Sequence, residues 1–385
     1  MSTAILADDP TVVGRILEHI DHRTTDLGRA IWREPVDNYR SAQRYDAELA
    51  LLRRLPSAFC PSAALPTSGS YVARRAAGTP ILAVRGEDGS VQAFRNACRH
   101  RGAQLVDGAG CEKAFVCRYH GWTYGLSGNL RHVPHEHGFP GLDKGVRGLV
   151  PVKTVETSGI VFVTQNEPVA GAPDSAASAA SLTDLIPSRF RCVGPSAYEG
   201  DVAANWKIMV EGFLEGYHIR STHRGTFYPL QFDNLNVVEH FGDNTRIAFP
   251  YKSIHRMREV APPLRSAEGT LTYVYHLFPN TMVATFPGRI FLVSVEPLSI
   301  DSTRLVTYML TDHSPDDADA AERITTASQL VDAGAAEDRE VACAIQRGLA
   351  TGANDFFEFG LFESAIGHFH RTLHAALETA ARSAA

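Results

Sequence analysis

The 385-residue chain has no run of about eighteen or more uninterrupted apolar residues, so it offers no membrane-spanning helix. It has no basic runs, and its formal charge is −6, which argues against nucleic acid as a partner. Cysteine is scarce. Of six, Cys60, Cys111, Cys192 and Cys343 show no disulfide-framework spacing, which predicts a reduced, cytoplasmic protein. The first twenty residues carry Asp8, Asp9, Arg15 and Glu18, and so do not read as a signal peptide. No G-x-G-x-x-G follows a strand and no P-loop is present, which leaves no place for NAD(P)H or flavin. With 44% hydrophobic and 21% charged residues, the chain is otherwise an ordinary globular protein with room for two domains.

What the chain does have is Cys98-x-His100, sixteen intervening residues, then Cys117-x-x-His120, with Gly102 and Gly121 just beyond each pair. Two thiolates and two imidazoles are the ligand set of a Rieske [2Fe–2S] centre, where the imidazoles replace two thiolates on one iron. Removing that negative charge raises the potential, so the chain is expected to handle single electrons. Tetrahedral zinc also accepts two Cys and two His. Zinc ribbons, however, use C-x-x-C knuckles or helical H-x₃₋₅-H, which this spacing lacks.

A helix is expected from Asp9-Pro10 onward, with Asp9 as N-cap, through Val13, Ile16, Leu17 and Ile20. A second runs from about Ser41 to Arg54. Short strands follow at 70–75, 81–85 and Val91–Arg95, with a hairpin at Tyr124–Asn129, which places both ligand pairs on loops of a small antiparallel-β domain. Residues 166–182 are rich in Ala, Ser and Pro and read as a linker or surface loop. Further strands are expected at Leu271–Tyr275, Thr281–Thr285, Ile290–Val295 and Arg304–Leu310, with helical stretches at 205–219, 334–350 and 362–383. The division is a helical segment 1–55, a cluster domain 56–165 and an α+β domain 183–385.

A second candidate metal site lies in Asn205-Trp206-Lys207-x₃-Glu211-x₃-Glu215-x-Tyr217-His218-x₄-His223. Glu211, Glu215 and His218 share one face of a continuous helix. His223 would sit roughly 140° round from His218, so the two imidazoles meet one metal only if the helix ends or bulges between them. A third ligand would come from Asp332, Glu337, Asp338, Asp355, Glu358 or Glu363. Asp338 shares a helix face with Val341, Ala342, Ile345 and Leu349, and an acid on an apolar face needs a partner. The alternative is an Asp338 at a solvated first turn. His368, His370 and His374 include an i, i+4 pair, but with no nearby cysteine or spaced acid they read as packing or surface groups. His132, His135 and His137 are expected in solvent or at a subunit contact, and Trp122 and Tyr124 beneath the cluster loops. Tyr275, Phe278, Phe286 and Phe291 could line an aromatic pocket, but strand aromatics are more often plain core.

Together, from about residue 56 to 380, these motifs resemble the α (oxygenase) subunits of Rieske non-heme iron ring-hydroxylating oxygenases. Respiratory Rieske proteins carry two more cysteines in these loops, where this chain has Ala103 and Tyr119. The resemblance implies a Rieske domain joined to a helix-grip domain, with mononuclear Fe(II) on His218, His223 and a late acid in a Glu-Asp context, which favours Asp338. It implies a head-to-tail homotrimer, a reductase and possibly a ferredoxin as electron donors, and NAD(P)H only through that reductase. It also gives Glu215 the role of the family's usual aspartate, bridging an iron-bound histidine to a neighbouring subunit's cluster histidine. Glutamate there is found in choline- and carnitine-type members. The expected activity is a monooxygenase or demethylase on a small aromatic or quaternary-amine substrate. The competing readings are a ring-dihydroxylating dioxygenase, and a non-catalytic electron carrier fused to a ligand-binding domain.

Overall fold

The computed structural model describes residues 6–182, 185–194, 197–314 and 318–383. Two antiparallel sheets organise an α+β chain. The first has seven strands, in the order Ser57–Pro61, Ile160–Thr164, Pro151–Thr157, Val91–Arg95, Thr79–Arg85, Ser70–Ala76, Gly108–Cys111. A three-stranded sheet (Phe115–Val116, Thr123–Tyr124, Leu130–His132) lies beside it and includes the expected hairpin. The second large sheet is a meander: Val237–Phe241, Asn244–Pro250, Leu271–Leu277, Thr281–Phe286, Arg289–Ser299 and Ser302–Thr311. Tyr198–Val202 and Arg191–Cys192 both pair with its last strand.

Strand Arg289–Ser299 shows why the two halves form one body: nine successive residues, Arg289 to Pro297, are buried. Side chains alternate along a strand, so burial on both sides means a layer on each face. Phe291, Val293 and Val295 pack with Trp206, Ile366, Phe369 and Leu373 of the helical layer. Ile290 and Leu292 share a core with Phe59 and Phe162 of the seven-stranded sheet. The same strand supplies Glu296, which takes Arg74 Nη1 at 2.8 Å and the Ala77 N–H at 2.8 Å in a buried ion pair joining the two sheets. Breaking such a pair leaves an uncompensated buried charge.

The helix Asp9–His22 is capped by Asp8, whose carboxylate accepts from Thr11 N–H. The cap is therefore one residue before the expected Asp9, and Asp9 and Pro10 are the first helical residues. Val12, Val13, Ile16 and Leu17 pack on Val237 and Ala248 of the meander sheet and on Leu235 and Ile254 beside it. Trp32–Pro35 pairs with Phe356–Phe359, so the N-terminal segment is built into the second half of the chain. The stretch expected as a linker contains a helix, Ser175–Ala179, capped by Asp174. Ala176 and Ala179 are buried in the core shared with the first sheet, because short Ala side chains let that backbone lie close to it.

Two helix predictions also change. The stretch expected as a helix over 205–219 is Trp206–Phe213, followed by a turn and a short helix Ile219–Thr222. The one expected at 334–350 begins at Ala318 and runs to Leu349. The last helix spans Ser364–Arg382.

Candidate metal centres

The two cluster loops are built alike. In the first, Gly102 N–H bonds to Cys98 C=O and Cys98 N–H to Ala103 C=O, each at 2.8 Å. In the second, Gly121 N–H bonds to Cys117 C=O at 2.9 Å and Cys117 N–H to Trp122 C=O at 2.8 Å. Both turns close through a glycine at positive φ, +78° at Gly102 and +73° at Gly121, where a Cβ is strained. The loops bring the His100 and His120 rings to 4.7 Å and bury Cys98 and Cys117.

Neighbouring groups fit a metal cluster. The His100 ring stacks on Trp122 at 5.0 Å and 8°, which fixes its plane. Burial, then His120 and Arg101, push His100 below the ordinary imidazole range, towards the neutral form a metal needs. His100 Nδ1 is buried with no hydrogen-bond partner, an orphaned atom that metal ligation satisfies. Tyr124 Oη accepts from Arg99 N–H at 2.9 Å and lies 3.3 Å from Cys98 Sγ, so its own proton can go to the sulfur. Trp122 and Tyr124 thus lie under the loops as expected, and His132, His135 and His137 are exposed.

At the second site, Asn205 caps the helix Trp206–Phe213 by accepting from Lys207 N–H, and the helix stops there. Glu215 therefore does not share a helix face with Glu211 and His218. It lies in the turn, where its carboxylate accepts the backbone N–H of Tyr217 and of His218, and also meets His218 Nδ1. A Cβ at Gly216 in this turn would lie 2.6 Å from Asn236 Oδ1 and would have to displace that side chain. His218 and His223 are the N-cap and C-cap of the short helix Ile219–Thr222, so the break required between the two imidazoles is the end of that helix at Thr222.

The result is convergence. His218 Nε2 is 3.1 Å from His223 Nε2, and Asp338 Oδ1 is 3.0 Å from His223 Nε2 and 3.6 Å from His218 Nε2. Ligand atoms about 2.1 Å from one ion at right angles lie about 3 Å apart, so this donor set fits a metal. Two imidazoles and one carboxylate are the facial triad of a non-heme Fe(II) oxygenase. Each imidazole has an outer carboxylate: Glu215 at His218 Nδ1, and Glu337 Oε2 2.8 Å from His223 Nδ1, with Thr226 Oγ1 donating to Glu337 at 2.7 Å. Such partners hold the N–H on Nδ1 and turn Nε2 to the metal. Burial opposes charge on both rings. In the metal-free protein Glu215 at His218 and Asp338 at His223 more than offset it, so both lie above the ordinary value.

Asp338 is mid-helix and not at a first turn. Glu337, weighed above as a ligand, instead holds His223, a role that one residue's step along the helix conceals in sequence. Asp332, Asp355, Glu358 and Glu363 are not among the converging donors. Phe227 was also missed: its ring is 4.7 Å from the His223 ring and fills the space where a Cβ on Gly334 would be. A cavity of about 220 Å³ opens beside His218, Asp338, Glu215, Glu211 and Glu363. All its lining residues lie within 208–222 and 338–366, so neither cluster loop reaches it.

The reading of the last helix needs a correction. His370 and His374 do have an acid, Glu34, whose carboxylate lies 3.1 Å from His374 Nε2. It is 340 positions away in sequence, which is why spacing did not reveal it. His368 stacks on His240 at 4.1 Å, a packing role as expected. Phe278 and Phe291 are core, whereas Tyr275 and Phe286 border a separate cavity of about 590 Å³.

Two electron-handling histidine–cysteine loops and a histidine–carboxylate triad in one chain define a class, the two-centre Rieske oxygenases. Residues 56–155 match the Rieske [2Fe-2S] domain, and residues 190–379 match the catalytic domain of the ring-hydroxylating alpha subunit. The chain is 27% identical over 325 residues to the carnitine monooxygenase oxygenase subunit of Escherichia coli K12, covering 81% of this chain and 84% of that one. It is 29% identical over 307 residues to the large oxygenase component of the naphthalene 1,2-dioxygenase system of Pseudomonas fluorescens, covering 67% and 68%. A crystal structure of a quaternary ammonium Rieske monooxygenase with L-carnitine superposes with a TM-score of 0.75 at 20% identity, covering 97% and 99%. The chain belongs to the Rieske ring-hydroxylating oxygenase alpha-subunit family. It is accordingly an oxidoreductase of the mono- or dioxygenase type, with a [2Fe–2S] cluster, mononuclear iron and NAD(P)H supplied through a reductase.

Proposed function

We propose that this chain is the oxygenase component of a multicomponent Rieske monooxygenase acting on a small quaternary amine, with Cys98, His100, Cys117 and His120 holding the cluster and His218, His223 and Asp338 the iron. One observation carries the reading: three donor atoms from His218, His223 and Asp338 converge, each imidazole backed by its own carboxylate. A fused electron carrier has no use for that arrangement. The chemistry these groups supply when bound is single-electron transfer at the cluster and reductive O₂ activation at the iron.

The remaining work belongs to the protein. Glu337 and Glu215 keep the imidazoles in the ligating tautomer. The Tyr124 hydroxyl bonds Cys98 Sγ, which favours electron density on the sulfur and raises the potential. The cavity beside His218 is largely apolar with four carboxylates (Glu211, Glu215, Asp338, Glu363) and no Lys or Arg, a lining that suits a cationic substrate over an anionic one. Burial first, then the nearby Glu215 and Glu211, raise the Glu363 carboxyl to about 7, so the lining can adjust its charge. The cluster loops do not line this cavity. As the family resemblance implies, a head-to-tail homotrimer would set the Glu215–His218 pair beside the cluster loops of a neighbouring subunit, with electrons supplied by a reductase, with or without a ferredoxin. The alternative of a dioxygenase draws on the naphthalene relative.

The test is product analysis under ¹⁸O₂ with a reductase, NADH and a panel of quaternary amines and small aromatics. One labelled hydroxyl, or a methyl lost as formaldehyde, is the expected result. A doubly labelled cis-diol from an aromatic substrate establishes the dioxygenase instead.

A further inference from the structure

Five side chains outside the two metal centres form a buried polar chain from the protein surface to the iron-site cavity. Glu34 and His370 are fully buried, and Glu211 nearly so. His374, the outermost, retains 30% side-chain exposure. Its Nε2 lies 3.1 Å from both Glu34 oxygens. Glu34 Oε2 lies 3.4 Å from His370 Nδ1, and His370 Nε2 lies 2.9 Å from Glu211 Oε1. Tyr39 Oη donates to the same Glu211 oxygen at 2.6 Å. Glu211 borders the cavity that His218, Asp338 and Glu215 also line.

An i, i+4 histidine pair with a carboxylate also has the makings of a metal site. Hydrogen-bond bookkeeping favours protons. Arg44 can only donate, and its Nη1 faces His374 Nδ1 at 3.4 Å, so that nitrogen is the acceptor and Nε2 carries the hydrogen given to Glu34. A metal would need Nε2 bare. Glu34 already accepts from Trp32 Nε1 at 3.0 Å and Asn38 Nδ2 at 2.7 Å. At His370, a carboxylate only accepts, so Nε2 donates to Glu211 and Nδ1 faces Glu34 as a second acceptor. One more proton between those two atoms makes a hydrogen bond of them. An imidazole between two carboxylates can take a proton on one nitrogen and release another from the second.

We propose that His374, Glu34, His370 and Glu211 form a proton relay from solvent to the oxygen-activating cavity, a proposal that rests on the oxygenase reading above. Oxygenation needs such delivery: substrate, O₂, two electrons from the reductase and two protons give either a hydroxylated product and water or a diol. In each transfer, a solvent proton takes His374 Nδ1 in place of the long Arg44 contact, and the imidazolium gives its Nε2 proton to Glu34. Glu34 passes it to His370 Nδ1, and His370 gives its Nε2 proton to Glu211. Electrons do not move; each transfer leaves one proton on Glu211 at the cavity wall and both imidazoles with the hydrogen on Nδ1, and rotation of the rings restores the starting tautomers. Glu34 is a point of passage. Burial alone would raise its carboxyl, but His374, His370 and Asn38 outweigh that and hold it down to about 2, so a proton does not rest there. Glu34, His370, His374 and Glu211 act through the cavity and are positioning residues.

The test compares holoenzyme with His370→Gln and with His374→Gln, which keep an amide donor but no titratable nitrogen. Cluster absorption and iron content should match the parent. Re-oxidation of the reduced protein by O₂ in a single turnover should slow about a hundredfold in His370→Gln, with a changed solvent isotope effect and hydrogen peroxide released. A readout independent of turnover is ¹⁵N-histidine NMR. The buried His370 ring proton should exchange with D₂O quickly in the parent and slowly in His374→Gln, whose site at the rim spares the fold if His370→Gln does not assemble. Re-oxidation and exchange in the variants that match those of an active, iron-replete parent overturn the relay and leave the oxygenase reading standing. So does an extra metal ion per chain that His374→Gln removes. A parent that lacks the mononuclear iron strikes the oxygenase reading itself.

Discussion

The cluster loops and the iron triad solve the same problem, converging metal donors, by opposite means. The loops are local. All four donors lie within residues 98–120, each pair closed by its own backbone hydrogen bonds and a left-handed glycine, with Trp122 and Tyr124 immediately following. The triad is assembled from a distance. His218 and His223 come from a turn and one short helix, while Asp338 and Glu337 come from a helix more than a hundred positions on, held by packing on the meander sheet. A local site should therefore respond to substitutions in its own turns. A distributed one should respond to its outer carboxylates and to whatever keeps the helices in register.

The largest effect should come from the donors themselves. Asp338→Ala or His218→Ala should remove the mononuclear iron and abolish turnover while leaving the cluster's visible and EPR spectra intact. Cys98→Ser should do the reverse, losing the cluster while the triad still binds added Fe(II). If either loss emptied both centres, the independence of the two sites would be wrong.

Next come the outer carboxylates. Glu337→Gln leaves a weaker acceptor for His223 Nδ1 and should lower iron affinity about 10- to 100-fold, read by titration of metal-free protein. Cluster content should stay unchanged.

Proton competition should also separate the two sites. With His218 and His223 raised in the metal-free state, each protonated ring paired with its carboxylate adds stability below the unfolded pKa, and that is lost as pH rises through the folded value. Iron needs the neutral rings, so its affinity should fall as pH drops, beginning above the ordinary histidine value. At the cluster, where His100 is pushed down, retention should hold to lower pH. Parallel pH profiles for the two centres would contradict this.

The smallest predicted effects lie in the loop glycines. Gly102→Ala meets open space and should cost only the left-handed strain, about 1–2 kcal/mol by thermal unfolding. Gly121→Ala should cost more, because its Cβ would fall 2.9 Å from Pro134 Cγ.

This contrast also explains what was legible in the sequence. The cluster donors sit close enough along the chain for spacing alone to name them, and the strands around them carry clear alternation and turn signals. The histidine pair was legible for the same reason. The geometry joining it was not, because a helical pattern through Glu211, Glu215 and His218 does not reveal that the helix stops at Phe213. Asp338 was visible as an acid on an apolar helix face, yet its neighbour Glu337 carries nothing in sequence that says it will meet His223. Glu34 and His374 meet only because Trp32–Pro35 pairs with Phe356–Phe359, a contact that no local pattern encodes. The Ala- and Ser-rich stretch misled for a related reason: its composition reads as linker, and only the core beneath it makes a helix of Ser175–Ala179.

The most direct test of the account is iron and zinc per chain in protein purified without added metal or chelator, beside Asp338→Ala treated identically. The account predicts about three irons in the parent and about two in the variant, with the cluster spectrum unchanged between them. Zinc in place of iron, or equal iron in both proteins, would contradict it.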